Sequence, residues 1–130
     1  MTVSKRVIEM HPDPLAPYAI APGWQVGNLL FLSGQAAISI EGTIVGVGDF
    51  DAQLVQVMAN IDRVLAAAGS TRSDIIKVTI YLTDMANFSK IVDARRAYFT
   101  APYPADTIVE VRSLALPELL LEIDVIATTG

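Results

Sequence analysis

The last strand that this sequence predicts, at positions 119–127, is apolar on both of its faces. Side chains alternate between the two faces of a strand. One face carries Leu121, Ile123 and Val125, and the other carries Leu120 and Ile126. Apolar surface left in water costs about 25 cal/mol per Å², so each face of this strand needs a cover. This feature constrains the fold more than any other in the chain.

Two helices can provide one of these covers. Positions 54–68 repeat apolar residues at the i, i+3, i+4 and i+7 spacing of a helix with one buried face. Asp49 or Asp51 can cap its start, and Gly69 suits the left-handed residue after its end. A second helix is predicted over 87–99, and Pro102 and Pro104 stop it.

The remaining apolar segments predict strands, so the chain as a whole predicts an α+β fold. They lie at 6–10, in 25–33 (a turn at Gly27-Asn28 followed by a strand) with a continuation at 35–40, and at 43–47, 75–82 and 107–112. Residues 1–130 make one domain with a sheet of about six strands, and two helices cover only one face of such a sheet. Another subunit is then the simplest cover for the second face. A composition of 52% apolar and 18% charged residues favours the same oligomer.

Composition also excludes several classes of function. The chain has no cysteine, which excludes disulfides and cysteine nucleophiles. Its one histidine, His11, lies in the proline-rich arm, and we expect no catalytic triad and no zinc set around it. A net charge of −5 without a basic run argues against nucleic acid as a partner. No signal peptide and no apolar run of membrane-spanning length are present, so we expect a cytoplasmic protein without a membrane partner.

Several dispersed segments resemble the RidA/YjgF family of reactive intermediate deaminases, also called endoribonuclease L-PSP-like proteins. The matching segments are 14–18 (Pro-Leu-Ala-Pro-Tyr), 32–35 (Leu-Ser-Gly-Gln), 77–79 (Lys-Val-Thr), 81–85 (Tyr-Leu-Thr-Asp-Met), 103–105 (Tyr-Pro-Ala), 109–111 (Val-Glu-Val) and 121–124 (Leu-Glu-Ile-Asp). Their order and spacing over nearly the whole chain make the resemblance specific.

The resemblance implies a chorismate-mutase-like fold and a homotrimer whose sheets face inward. It also implies small-ligand pockets in clefts between subunits. In typical members these pockets hydrolyse enamines or imines such as 2-aminoacrylate to a keto acid and ammonia, without a cofactor.

The resemblance assigns roles to several residues of this chain. Glu122 matches the glutamate that positions the attacking water, and Tyr18 matches a pocket tyrosine; a structural carboxylate and an anchor for the proline-rich arm are the alternatives. Ser33 and Gly34 match a strand end that a ligand approaches, with a plain bulge as the alternative for Gly34. The backbone around Ala105 and Thr107 is expected to bind the reacting nitrogen and oxygen.

The sequence departs from the family at Asp106. In the family an arginine after the Pro-Ala pair grips the substrate carboxylate, whereas here Asp106 follows Pro104 and Ala105. If Asp106 faces the pocket, it repels a carboxylate and favours a neutral or cationic substrate. The alternative is that Asp106 caps a turn before the next strand and points away.

Three functions compete on this evidence. The preferred one is an enamine or imine hydrolase that does not act on 2-aminoacrylate. The second is a non-catalytic trimer that binds or senses a small ligand, since the arginine is missing. The third is an endoribonuclease, which the acidic charge disfavours.

Overall fold

Six strands form one mixed sheet in the computed structural model, which describes residues 3–130. The strands are β1 (Lys5–Val7), β2 (Gly23–Val26), β3 (Leu29–Ala36), β4 (Ile75–Leu82), β5 (Ala105–Glu110) and β6 (Leu121–Thr128). The helices are α1 (Phe50–Ala67) and α2 (Phe88–Tyr98), and the strands lie in the sheet in the order β1-β2-β3-β6-β4-β5. Neighbouring strands are antiparallel except β4 and β5, which are parallel. The prediction of an α+β fold with two helices is confirmed.

Strand β6 lies inside the sheet between β3 and β4. Its residues Leu121, Ile123 and Val125 are buried in a core that also contains apolar side chains of both helices. The alternate residues of β6, including Glu122 and Asp124, are only partly buried. The helices therefore cover one face of the sheet, and the other is called the open face below.

The open face has an apolar end. Trp24 on β2 pairs with Phe31 on β3, which pairs with Ile126 on β6, so the three side chains form one row across the sheet. Trp24 is 43% exposed and Phe31 is 41% exposed. Lys5 lies over part of the row, with its Nζ 5.6 Å from the centre of the Trp24 ring, and no helix covers it within residues 3–130, as the doubly apolar strand predicts.

Helix α1 begins as its sequence predicts. The Asp49 side chain accepts a hydrogen bond from the Ala52 backbone N–H (3.1 Å), so Asp49 rather than Asp51 is the N-cap. Gly69 follows the helix with φ of 72°, the left-handed conformation that glycine adopts without strain. No helix within residues 3–130 is both long and apolar enough to span a membrane.

Several strand predictions are wrong in detail. Strand β1 ends at Val7 rather than Met10, and β2 lies before the turn at Gly27-Asn28, where the sequence predicts no strand. The segment 43–47 forms no strand but a single bridge, between Ile38 and Ile44, because Gly42 and Gly46 adopt positive φ on either side of it. Strand β5 begins at Ala105, two residues earlier than predicted, directly after Pro104.

A buried glutamine ties α1 to two loops. Gln53 is 0% exposed, and its amide nitrogen donates to the backbone carbonyls of Gly46 (3.1 Å) and Glu118 (2.9 Å). Its amide oxygen accepts from the Leu120 backbone N–H (2.8 Å). One side chain thus holds the loop before α1 and the loop before β6.

Replacing Gln53 with alanine is expected to lower the free energy of unfolding by about 2–4 kcal/mol, because backbone groups lose their hydrogen bonds inside the protein. Urea unfolding followed by circular dichroism measures the change. Gln56→Ala is the matched control on the same helix: it removes one hydrogen bond, to Asn60, and is expected to cost less than about 1 kcal/mol. Equal losses in the two variants would contradict this role of Gln53.

Candidate functional site

A cavity of about 250 Å³ lies between the proline-rich arm, the end of β3, α1 and the start of β6. Its walls bring together Tyr18, Ser33, Gly34 and Glu122, which are far apart in the sequence. The other lining residues are Pro14, Leu15, Ile20, Gln35, Ala36, Ile38, Asn60, Ala115, Leu116 and Leu119. A mostly apolar cavity with a few polar groups is typical of a small-molecule site.

An irregularity in β3 shapes this cavity. Leu32 pairs with Val125 but Gln35 pairs with Ile123, so Ser33 and Gly34 together lie opposite one residue of β6. Such a bulge bends a strand and changes where its side chains point. Gly34 is therefore part of a β-bulge, as the alternative interpretation from the sequence predicts.

Gly34 also leaves space for the carboxyl group of Glu122. A Cβ atom on residue 34 would overlap Oε2 of Glu122 and lie 2.9 Å from its Cδ and 3.1 Å from its Cγ. Real Cβ atoms rarely come so close, so any larger residue would displace Glu122. The glycine thus lets the Glu122 carboxyl group pack against the bulge in its present position.

Glu122 projects from the open face of β6 and is partly buried. Burial raises the pKa of Glu122, and the nearby negative charge of Asp124 raises it further. The carboxyl group therefore holds its proton to a higher pH than a free glutamate does. Such a group can both accept and release protons nearer neutrality.

The arm that carries Tyr18 is held against the bulge. Ser33 Oγ donates to the Ala21 carbonyl (2.6 Å), and the Ser33 backbone N–H donates to the Pro22 carbonyl (3.0 Å). Tyr18 ends a single 3-10 turn, Ala16–Tyr18, and is 50% exposed. Ser33 thus positions the arm, while Tyr18 remains open to a ligand.

Asn60 is a cavity residue that the sequence analysis missed. It is 5% exposed, and its amide donates to the carbonyls of Ala36 (2.9 Å) and Ile38 (2.8 Å). These bonds hold the chain just after β3 where no regular ladder continues. The signal was present in the sequence, since an asparagine interrupts the apolar face of α1.

Asp106 lies on the helix-covered face, away from the Glu122 cavity of its own chain. It pairs in register with the buried Val78 of β4. Arg95 of α2 donates from Nε to Oδ2 (2.9 Å) and from Nη2 to Oδ1 (2.8 Å) of Asp106. The side chains of Arg95 and Asp106 are 26% and 19% exposed. Asp106 therefore caps no turn, and it holds Arg95 at the C-terminal end of α2 through two hydrogen bonds.

The ion pair lines a second, more open depression of about 460 Å³, here called the outer recess. Its walls are formed by Phe88, Val92, Arg95, Arg96, Tyr103, Asp106 and Ile108. The guanidinium of Arg95 also lies 5.7 Å from the centre of the Phe88 ring. Arg95 is thus held in place from two sides.

The other two predicted residues on β5 also lie outside the cavity. Thr107 is on the open face, where its hydroxyl accepts from Lys77 Nζ (2.8 Å). Ala105 pairs with Lys77 and is exposed at the start of the edge strand. One chain therefore unites four of the seven predicted site residues and keeps Ala105, Asp106 and Thr107 apart from them.

Comparison with known proteins gives a consistent result. The family model described as Endoribonuclease L-PSP matches residues 8–129. A RutC family protein of Pyrococcus horikoshii is 40% identical over 92% of each chain. A 2-iminobutanoate/2-iminopropanoate deaminase of Dermatophagoides farinae is 33% identical over 85% of this chain and 86% of its own.

Solved structures agree with the sequence comparison. The crystal structure of a Rid family protein from Yersinia pestis superposes with a TM-score of 0.88 at 37% identity, covering 96% of this chain and 99% of the other. RidA from an Antarctic Psychrobacter gives 0.86 at 30% identity, over 95% and 98%. The chain belongs to the RidA/YjgF family.

Proposed function

We propose that this protein is an enamine or imine hydrolase that acts on a small reactive metabolite in the cytoplasm. The observation that carries the proposal is the Glu122 carboxyl group, which has a raised pKa and lines a cavity of metabolite size. The relatives named as deaminases support the same class of reaction.

The reaction needs one water and several proton transfers. The enamine first takes a proton from solvent on carbon and becomes an iminium ion. Water then adds to the iminium carbon while Glu122 accepts one of its protons, and the same carboxyl group passes that proton to nitrogen. Ammonia leaves as the carbonyl forms, and the remaining hydroxyl proton returns to solvent through Glu122, so an enamine and water become a ketone and ammonia. The Tyr18 phenol is placed to orient the ligand.

The working unit in this proposal is a homotrimer with its sheets facing inward. The exposed row formed by Trp24, Phe31 and Ile126 is a strong reason for self-association. The site then lies in a cleft between subunits. The Glu122 cavity of one copy faces the outer recess of the next, whose backbone at Ala105 and Thr107 binds the reacting nitrogen and oxygen.

The Arg95–Asp106 pair decides the substrate class in this proposal. A guanidinium binds a carboxylate best through two parallel N–H groups, and Asp106 already occupies the Nε and Nη2 edge of Arg95. Only the Nη1 and Nη2 edge of Arg95 remains, and a carboxylate there would lie beside the negative charge of Asp106, which repels it. We expect neutral or cationic imines to be better substrates than 2-aminoacrylate.

One observation favours a second candidate, a non-catalytic trimer that binds a small ligand. The Ser33 hydroxyl donates its hydrogen to Ala21, so the cavity has few free donors beside Tyr18. An endoribonuclease is less well supported despite the description of the family model, because a net charge of −5 repels a phosphate backbone.

The purified protein should release ammonia from at least one imine in a panel of neutral, cationic and acidic compounds generated in the assay. We expect faster turnover of the neutral and cationic imines than of the acidic imines. Native mass spectrometry of the same sample should show three chains per particle. Absence of turnover across the panel, with a metabolite retained in the native spectrum, would instead identify a binding protein.

A further inference from the structure

The open face carries a second carboxylate and a phenol next to Glu122. Tyr81 on β4 lies directly opposite Glu122 in register, and Asp124 is two residues further along β6 on the same face. Tyr81 Oη donates to Asp124 Oδ2 over 3.3 Å. This diagonal contact between two strands thus joins Tyr81, which lies opposite Glu122 on β4, to Asp124, which follows Glu122 on the same face of β6.

We propose that Tyr81 and Asp124 are positioning residues that hold a fixed negative charge beside Glu122 and so keep a proton available on it. The proposal rests on the hydrolase function proposed above, since it assigns these residues to the same proton transfer. Neither side chain lines the cavity, so both act through Glu122 rather than on the ligand.

The geometry places the charge at a useful distance. The Cα atoms of residues i and i+2 on one face of a strand are about 7 Å apart, so the charges of their side chains are close enough to interact. The hydrogen bond from Tyr81 anchors the Asp124 carboxylate toward β4. A freely rotating aspartate would instead have no fixed distance to Glu122.

The titration properties of the three groups fit this arrangement. After burial, Asp124 is the cause that raises the pKa of Glu122. Burial and then Asp124 raise the pKa of Tyr81 above its ordinary value, so the phenol keeps the proton that it donates. Among the described strands, two cations lie on the same face: Lys77 of β4, which donates to Thr107 of β5, and Lys5 of β1, whose Nζ lies 5.6 Å from the centre of the Trp24 ring. Strand β3 contributes no titratable side chain there.

A purely structural role for the pair is the competing explanation. Cross-strand contacts often add a few tenths of a kcal/mol to a sheet without affecting any reaction. The two explanations differ in one measurable property, the midpoint of the Glu122 titration, which a structural contact would leave unchanged.

The test is a carbon-13 NMR titration of the Glu122 carboxyl group in the assembled protein labelled at glutamate, assigned with Glu122→Gln. Asp124→Asn is expected to move the midpoint down by about half a pH unit, because a like charge is removed. Tyr81→Phe keeps the charge but releases the Asp124 carboxylate from its fixed position, so the midpoint should also move down, by less than in Asp124→Asn. Asp93→Asn is the control, since it removes an exposed carboxylate on α2.

An unchanged midpoint in Asp124→Asn, equal to that of the Asp93 control, would overturn the proposal. An unchanged or raised midpoint in Tyr81→Phe would remove Tyr81 from it. If Asp124→Asn does not fold, Asp124→Ser serves the same purpose. The NMR titration needs no substrate, so a negative result there is distinguishable from a negative result in the hydrolase assay. If the protein turns over an imine, the acid limb of its pH–activity profile should shift in the same direction in each variant.

Discussion

Glu122→Gln is expected to lower imine hydrolysis by about 10²–10⁴-fold, the usual contribution of a general acid–base group. Glutamine has nearly the same shape but cannot accept a proton from water, so substrate binding should change little while kcat falls. The remaining activity should also lose the acid limb that Glu122 imposes on the wild-type pH profile. Ammonia release measured against pH, with size-exclusion chromatography of the same sample, checks the prediction.

Loss of folding would be a poor explanation for such a result. The folded protein raises the pKa of Glu122, so the stability linked to this group is present below the unfolded pKa and is lost as pH rises through the folded pKa. At neutral pH the glutamine variant should therefore unfold at the same temperature or higher. Glu41→Gln, in an exposed turn, is the matched control. If Glu122→Gln retains a third or more of the activity, Glu122 is not the proton-transfer group.

Asp106→Ala is expected to raise kcat/KM for an acidic imine relative to a neutral one by about 10–100-fold. The alanine variant frees the Nε and Nη2 edge of Arg95 that Asp106 occupies at 2.8–2.9 Å. A hydrogen bond to a charged group contributes about 1.5–3 kcal/mol, and about 1.4 kcal/mol corresponds to tenfold. The assay compares one acidic and one neutral imine under identical conditions.

The double variant Arg95→Met with Asp106→Ala is the control for this prediction. It lacks both charges, so any gain for the acidic substrate should disappear if Arg95 is its source. The single variant is also expected to lose about 1–3 kcal/mol of stability, because a partly buried guanidinium loses its partner. An unchanged substrate preference in a folded Asp106→Ala variant would show that the outer recess does not contact the substrate.

Much of the fold follows from the sequence because short-range patterns carry it. The alternation along β6 and the apolar stripe of α1 express which side chains are buried, and burial dominates the energetics of both elements. The N-cap of α1 depends only on residues close to it in the chain. The sequence therefore narrowed the N-cap to Asp49 or Asp51, and the hydrogen bond in the structure identifies Asp49. The segment 43–47, which does not form the predicted strand, shows the limit of prediction from hydrophobic patterns. The backbone conformations of Gly42 and Gly46 decide whether the strand pairing continues there, and a hydrophobic pattern does not encode them.

The chain's order of residues determined by itself that the sheet has a second apolar face, and it placed Tyr18, Ser33, Gly34 and Glu122 as candidates through the family resemblance. Only the tertiary structure decided that these four share a cavity and that Asp106 faces Arg95 instead. The physical reason is that strand pairing joins residues far apart in sequence, and a side chain on a strand changes face with each residue. The partner of a polar group therefore depends on register and packing, which no local pattern contains.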